Sequence, residues 1–571
     1  MLKNTNEKGF SARILELETE IKKLKSRKKY GLVWEEKPEE VVELCKEKLP
    51  VLAEDAPKEV VTNEGRPVNV LIEGDNYHSL SVLNYTHKGK FDAIYADPPY
   101  NTGAADWKYN NNYVDKNDAF RHSKWISFIY KRLKLAKELM KEDGIICVTI
   151  DDYEIARLLM IMEEIFGEDN HIGTIVIRNN PAGRSTTKGI SITHEYAVFF
   201  GKSAKSKVGR LERNQKQIDR YGEEDNKGKF EWVNFRKPGS LKIESPKMFY
   251  PIFVSEKGFR LPKVKWEEAK DEWKLLEKPI RGEKILFPVD DDGKERRWRW
   301  GVERFLSEKE ELTTRYTKGK LHIYVKGRIN EEGVLPMTWW DKKEYSSTAY
   351  GTNLLKNIFS ELQVFSYPKS IYAVMDCLSI MSENKNGLFL DFFAGSGTTG
   401  QAVLELNKND KGNRKFILCT NNENNISTEV CYPRLKKVIN GYKGADGLGG
   451  NLKYYKTDFV EAKPTDLNKK KLVDKSTEML CLKEDCFQVV KKGEHFKIFT
   501  ANKDKYLGII YDDAGIDLFK NEAKKLNRKI ITYAFSLDDS AREEEFEDIK
   551  KLVQLKPIPA VILNVYKRLF K

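Results

Sequence analysis

The sequence predicts an α/β fold whose sheet is interrupted by an inserted β-rich domain and followed by a small C-terminal α/β domain. Three observations predict it. Short apolar runs alternate with helical stretches from Val68 to about Phe200, and the alternation resumes from about 369 to 419. Between these halves, charge and tryptophan concentrate and the alternation stops. Strand–helix repeats of this kind imply a parallel sheet covered on both faces.

The elements follow in order. Residues 11–27 carry Ile14, Leu17, Ile21 and Leu24 at helical spacing. That is under two heptads, so a docking helix is expected rather than a zipper. Residues 36–66, rich in Glu, Lys and Pro, read as an irregular lead-in. A strand at 68–72 ends in Glu73-Gly74-Asp75, and a helix with Leu80, Val82 and Leu83 follows. The buried strand 91–96 runs into Asp97-Pro98-Pro99-Tyr100. Helix 124–141, strand 145–150, helix 153–166 and strands 172–178 and 196–200 complete the first half. The second half has a helix near 369–382, strand 388–390, a glycine-rich turn, helix 398–407 and strand 416–419. The linker Ala462-Lys463-Pro464-Thr465-Asp466 opens the last domain. The expected divisions are 1–66, 67–202, 203–350, 351–460 and 461–571.

Composition narrows the class. The chain has 571 residues, with 100 Lys+Arg against 87 Asp+Glu and a formal net charge of +13. A 40% hydrophobic share excludes wholesale disorder. Mean hydropathy is −0.60, and no run approaches the roughly 18–20 apolar residues of a bilayer span. Met1 to Glu7 lack the apolar core of a signal peptide. A soluble, cytoplasmic protein is expected. Seven cysteines include no C-x-x-C pair, and Cys481 and Cys486 have no histidine until His495. Buried, reduced thiols and no metal site are the expectation.

The positive charge clusters. Residues 201–350 hold 35 Lys/Arg against 26 Asp/Glu, and seven of the ten tryptophans. Basic side chains interleaved with aromatics suit a surface that tracks phosphates and stacks bases. The densest stretch gives Arg296, Arg297 and Arg299 as DNA contacts, with Trp298 and Trp300 bracing or stacking. Alternation along a strand leaves a second reading open, with tryptophans turned into a local core and arginines solvated.

Two motifs carry chemistry. Gly395-Ser396-Gly397-Thr398-Thr399-Gly400 matches G-x-G-x-x-G between a strand and a helix, where glycine lets backbone approach a nucleoside cofactor. The dinucleotide version expects an acid about 20 positions on, and Glu423 is the nearest candidate. The second motif is Asp97-Pro98-Pro99-Tyr100, at the end of a buried strand where α/β proteins place ligands. Two prolines remove two N–H donors, leaving the Asp97 carboxylate and Pro98 carbonyl as acceptors beside an aromatic face. That is a cradle for an amino group on a flat ring, whose nitrogen the acceptors favour in its pyramidal, nucleophilic form.

Together these blocks resemble the amino-group DNA methyltransferases of the circularly permuted beta arrangement, close to the Mod subunits of type III restriction–modification systems. In that family D-P-P-Y comes first, then the target-recognition domain, then F-x-G-x-G. Asp97–Tyr100, the insert at 203–350 and Phe393-Ala394-Gly395-Ser396-Gly397 follow that order. Leu71 to Asn76, Thr193-His194-Glu195-Tyr196 and Tyr367-Pro368-Lys369-Ser370 resemble further family blocks. The resemblance implies a Rossmann-like sheet binding S-adenosyl-L-methionine through Asp75, Lys369, Asp391, Phe393, Gly395, Gly397, Thr398 and Glu423. It implies catalysis by Asp97, Pro98, Pro99 and Tyr100, with Tyr100, His194 and Tyr196 around a flipped base. Double-stranded DNA methylated at adenine N6, a homodimer and a separate restriction–translocase subunit are further implications. Thr420 stands where many members carry an acid, which puts the role of Glu423 in question. Cytosine N4 as target, a non-catalytic DNA-binding specificity subunit and a dinucleotide oxidoreductase are the alternatives. The oxidoreductase leaves D-P-P-Y and the basic insert unexplained.

Overall fold

The computed structural model of the chain describes residues 34–570 apart from 64, 111, 184–188, 318, 331, 361–364, 503 and 539. The expected helix at 11–27 lies outside the described residues. The chain divides into two compact units, one running to Gly209 and resuming at Pro336, the other Arg210–Leu335.

The first unit is built on a ten-stranded sheet. Its strands are β1 (Lys48–Glu54), β2 (Val68–Glu73), β3 (Phe91–Ala96), β4 (Met140–Ile150), β5 (His171–Ile177), β6 (Glu195–Gly201), β7 (Trp339–Trp340), β8 (Leu388–Asp391), β9 (Lys415–Thr420) and β10 (Asn451–Glu461). They lie in the order β1-β10-β2-β9-β8-β3-β4-β6-β5-β7. From β10 to β4 all neighbours are parallel. Here β3 and β8 read as nearly unbroken apolar runs because both faces are covered. The covering helices include α1 (Glu40–Glu47), α2 (Asn76–Thr86), α3 (Arg121–Leu139), α4 (Ile155–Phe166), α5 (Ile371–Met381), α6 (Thr398–Asp410) and α7 (Tyr432–Asn440).

The expectation of a parallel sheet holds for its centre and fails at its flanks. β6 is antiparallel to both β4 and β5, and β1 is antiparallel to β10. No α-helix lies between Ile177 and Glu195 among the described residues. A strand that returns without a crossover must run antiparallel.

Beyond β10, five strands form a second sheet in chain order: β11 (Gln488–Lys492), β12 (Phe496–Asn502), β13 (Lys505–Ile510), β14 (Ile530–Phe535) and β15 (Val553–Ile558). With α8 (Asp466–Asp474), α9 (Thr477–Glu484), α10 (Gly515–Leu526) and α11 (Ala560–Leu569), this is the expected small α/β segment. It is not a separate compact body. Leu480, Leu507, Ile509, Ile562 and Tyr566 share one buried core with Leu52, Val82 and Tyr85. The Tyr566 hydroxyl donates to the Pro50 carbonyl at 2.5 Å.

The second unit, Arg210–Leu335, is rich in short strands. Its largest sheet orders Leu312–Thr317, Lys320–Arg328, Gly228–Asn234 and Glu223–Asp225. Its core gathers Phe235, Tyr250, Ile252, Trp298, Trp300 and Phe305. The unit is narrower than the expected 203–350. Trp339 and Trp340 instead form β7, paired parallel with β5 in the large sheet. All seven cysteines are buried and unbridged.

Candidate active site

Four neighbouring strands, β2, β9, β8 and β3, end at one edge of the sheet. Ligands of parallel α/β sheets bind outside such carboxyl ends. A cleft of about 420 Å³ opens there, lined in part by Asp75, Asp97, Phe393, Gly395, Thr420 and Glu423.

Asp75 follows β2 and caps α2. Its Oδ1 accepts from the Tyr77 N–H at 2.7 Å and from the Arg132 guanidinium at 3.3 Å. Arg132, on α3, is wholly buried and also pairs with Glu39 at 2.7 Å. One carboxylate oxygen is thus pinned, and among the described residues nothing donates to the other.

The glycine loop follows β8. Gly395 (φ +49°) and Gly397 (φ +79°) both take left-handed backbone that side chains resist. Their surroundings differ. A Cβ on Gly395 would find no protein atom nearer than 3.7 Å, whereas one on Gly397 would meet Cys431 Sγ at 3.1 Å. Gly395 therefore opens toward the cleft, and Gly397 packs against protein. Asp391 accepts from the Phe393 N–H at 2.9 Å and from Thr399 Oγ1 at 2.5 Å. Burial pushes its carboxyl up to about 7. From behind, the buried Arg434 on α7 donates to Thr398 Oγ1 at 2.8 Å, Ser396 Oγ at 3.1 Å and Gln401 Oε1 at 2.9 Å.

The tetrapeptide follows β3. Thr149, on adjacent β4, donates to Asp97 Oδ1 at 2.7 Å, and Lys369 Nζ lies 3.1 Å from the same oxygen. Among the described residues nothing donates to Asp97 Oδ2 or to the Pro98 carbonyl. The Trp125 indole N–H donates to the Pro99 carbonyl at 2.7 Å. Tyr100 Oη donates to Glu195 Oε2 at 3.0 Å. Lys369 donates to that carboxylate at 2.6 Å and to Tyr100 Oη, and its Nζ lies 4.5 Å from the Tyr100 ring centre. Burial, reinforced by Asp97 and Glu195, holds the Tyr100 phenol well above its ordinary range, so it stays neutral. Burial alone would lower the Lys369 ammonium, but Asp97 and Glu195 outweigh it and hold the amine above its usual value.

The expected cofactor residues divide. Asp75, Phe393, Gly395 and Glu423 line the cleft. Asp391, Gly397 and Thr398 do not line it and brace the loop from within. Lys369 joins the tetrapeptide rather than the cleft, because its ammonium is drawn to two carboxylates. Glu423 pairs with Lys108 at 3.7 Å, and Thr420 lines the cleft beside it.

The expected base pocket also changes. Successive side chains on a strand point to opposite faces. On β6 it is Glu195 that reaches Tyr100, while Tyr196 Oη donates to Asp152 Oδ1 at 2.8 Å and lies 3.0 Å from His194 Nε2. His194 and Tyr196 thus form a cluster of their own with Asp152.

Within the insert, Trp298 is 2% and Trp300 8% exposed, so neither presents a face for stacking. Trp298 lies 5.2 Å from Phe235 in a stacked pair and donates to the Tyr250 carbonyl at 2.8 Å. Arg296 pairs with Asp290 at 2.7 Å, Arg297 turns to Met248 Sδ, and exposed Arg299 donates to the Asn234 carbonyl at 2.7 Å. The inward-tryptophan arrangement is the one observed. Sequence reasoning missed Thr149, Glu195, Arg132 and Arg434. Only Glu195 carried a signal, an acid opening an apolar strand.

These residues suit S-adenosyl-L-methionine. Asp75 and Glu423 offer carboxylates to an ammonium or to ribose hydroxyls, and Phe393 and Ile426 offer apolar faces to a purine. Gly395 offers open backbone. The chain is 34% identical over 367 residues to Type II methyltransferase M.KpnI of Klebsiella pneumoniae, covering 63% of this chain and 82% of that one. It is 31% identical over 429 residues to the Type III restriction-modification enzyme EcoPI Mod subunit of Escherichia phage P1, covering 70% and 62%. It is 27% identical over 426 residues to the EcoP15I Mod subunit of Escherichia coli, covering 64% and 60%. The chain thus spans about three fifths of the length of these two Mod subunits. The solved structure of PvuII DNA methyltransferase (cytosine-N4-specific) aligns at 10% identity with a TM-score of 0.32, over 66% of this chain and 89% of that one. The family model N6_N4_Mtase, described as DNA methylase, matches residues 91–430, from β3 through the tetrapeptide, the insert and the glycine loop. The chain belongs to this family of DNA methylases, with S-adenosyl-L-methionine as methyl donor.

Proposed function

We propose that the chain methylates adenine at N6 in double-stranded DNA, with the target base turned out of the helix to lie beside Tyr100. An amine inside the duplex is out of reach, and extruding its base costs a few kcal/mol. One observation carries the reading: Asp97 is anchored through Oδ1, while Oδ2 and the Pro98 carbonyl accept nothing from the described residues. Two free acceptors suit the two hydrogens of an exocyclic amine and favour its pyramidal form. Bound S-adenosyl-L-methionine supplies an electrophilic methyl group. As that methyl passed to the amine nitrogen, its bond to the sulfonium sulfur would break to leave a neutral thioether, and Asp97 Oδ2 would take the proton the nitrogen sheds.

Asp97→Ala tests this. Methylation of plasmid DNA should fall by about 10²–10³-fold or more, the scale of losing a preorganised polar contact. S-adenosyl-L-methionine affinity by calorimetry should change little. Mass spectrometry of nucleosides from DNA treated with the parent protein should show N6-methyladenine. N4-methylcytosine would overturn the base assignment, since either amine suits the same acceptors. Failure of the parent protein to methylate would favour a specificity subunit.

The proposal extends to assembly and setting. We propose a cytoplasmic homodimer with a separate restriction–translocase subunit; that two relatives are Mod subunits of type III restriction-modification enzymes supports the separate subunit. No helix among the described residues is long and apolar enough to cross a membrane. Light scattering of a fully active monomer at micromolar concentration would reject the dimer.

A further inference from the structure

We infer that Lys369 is a positioning residue for methyl transfer: with Glu195 behind it and Thr149 beside it, its ammonium anchors one oxygen of Asp97 so that the other meets the target amine. This rests on the reading of Asp97 given above.

Four distant stretches of chain converge on this point. Asp97 follows β3, Thr149 lies on β4, Glu195 opens β6, and Lys369 precedes α5. Both donors, Thr149 Oγ1 and Lys369 Nζ, address Oδ1. An aspartate carboxylate turns freely about its last bond, and two donors on one oxygen fix that rotation. The approach of a poor nucleophile depends on such fixed placement. The Lys369 side chain is only 12% exposed and that of Glu195 5%. Solvent therefore screens little of their attraction.

Charge makes the arrangement more than a tether. Without the ammonium, Asp97 and Glu195 would face each other near a neutral phenol. Two carboxylates left together hold a proton more tightly. A protonated Asp97 donates where the reaction needs an acceptor. The titratable groups around Asp97 are Lys369, Glu195, Tyr95, Tyr100, Cys147 and Asp391. Of these, only Lys369 brings positive charge.

The test uses the full chain and the pH dependence of kcat on plasmid DNA. Lys369→Met should lower kcat at pH 7 by about 10²-fold, the cost of a misplaced reacting group. Its activity should recover with rising pH, so that the acid limb of the profile moves up by about 1–3 pH units. Adding Glu195→Gln to that variant removes the second carboxylate and should bring the limb back down. Lys369→Arg, which keeps the charge, should retain the parent's limb even where kcat is reduced. Calorimetry should give a parent-like Kd for S-adenosyl-L-methionine in each variant, which also reports that the fold survives. A parent-like profile in Lys369→Met overturns the inference, as does a variant that loses only cofactor affinity. Should Lys369→Met fail to fold, an unchanged limb in Lys369→Gln decides against it in the same way. Full activity of Asp97→Ala is a different failure, that of the underlying reading.

Discussion

Asp391 holds its carboxyl 2% exposed under the glycine loop, where burial lifts it to about 7 against donation from Thr399 and the Phe393 N–H. In the unfolded chain the same group titrates near 3.9. Between about pH 4 and 7 the unfolded state sheds this proton while the folded state keeps it, so this residue's contribution to stability falls as pH rises, then levels off. Asp391→Asn should therefore flatten the loss. The melting temperature of the variant, relative to that of the parent and without cofactor, should rise from pH 4 to pH 7, and a constant difference would refute the assignment. The two loop glycines should also separate. Gly397→Ala must adopt a left-handed backbone and press on Cys431 Sγ at 3.1 Å, so it should lower the melting temperature by an amount equivalent to about 1–2 kcal/mol. Gly395→Ala shares the backbone penalty but makes only ordinary contacts, at 3.7 Å, so its added effect should appear in cofactor affinity. At this scale the sequence was legible wherever chemistry forces a residue type, as at Asp97 and Gly395. It was silent on Arg434 and Thr149, whose roles arise only because α7 and β4 carry them beneath a loop and beside an acid.

Among elements, the strands that surround the cleft were legible because a strand buried on both faces has to be an apolar run. Their direction was not, since such a run reads the same either way, and β6 proved antiparallel where a parallel strand was expected. Face was equally hidden at its start: Glu195, not Tyr196, turns toward Tyr100. The basic insert shows the same limit. Trp298 and Trp300 fill a core, one of the two arrangements that alternation along the strand allowed, and composition alone could not choose between them. A cleft of about 1210 Å³ in the same unit is lined in part by Arg236, Lys257, Arg281, Lys284, Lys320 and His322, with Glu256, Glu283, Asp290 and Asp291 among them. Lys257, Arg281 and Lys284 form no ion pair among the described residues, in contrast to Arg296. Should DNA lie along this cleft, replacing these three by alanine should flatten the salt dependence of DNA binding by about three units of slope, one for each phosphate they would neutralise. The matching triple substitution of Arg296, Arg297 and Arg299 should change it less. Fluorescence anisotropy on one duplex across a salt series compares the two, and the reverse ranking would return the DNA to the Arg296–Trp300 strand.

For the whole molecule, motif order was readable from the sequence, but the limits of the folded bodies were not. The linker at 462–466, with the lysines after it, marks the start of a C-terminal α/β domain, yet Tyr566 and Ile562 are buried with Leu52 and Tyr85 in the core of the catalytic unit. A sequence shows where a linker is polar, not whether the chain beyond it folds back. The insert is the opposite case. Residues 210–335 bury Phe235, Tyr250, Ile252, Trp298 and Phe305 at 2% exposure or less, within their own unit. That is a complete core for a body of ordinary domain size, and it should fold when expressed alone. A cooperative thermal transition and a structured near-ultraviolet signal are expected from that fragment, since Trp298 is stacked on Phe235 and hydrogen-bonded to the Tyr250 carbonyl. The same tryptophan can test whether DNA binding by the insert involves its core. Buried at 2%, it should hold its blue-shifted emission when duplex DNA is added, while DNA affinity falls with salt as phosphate contacts require. Emission from a fragment in which the more exposed Trp232, Trp266 and Trp273 are replaced by phenylalanine isolates the Trp298 and Trp300 signal. Quenching of that signal by DNA would mean that these tryptophans leave the core to meet bases, and a fragment that never melts cooperatively would mean that the insert depends on the rest of the chain to fold.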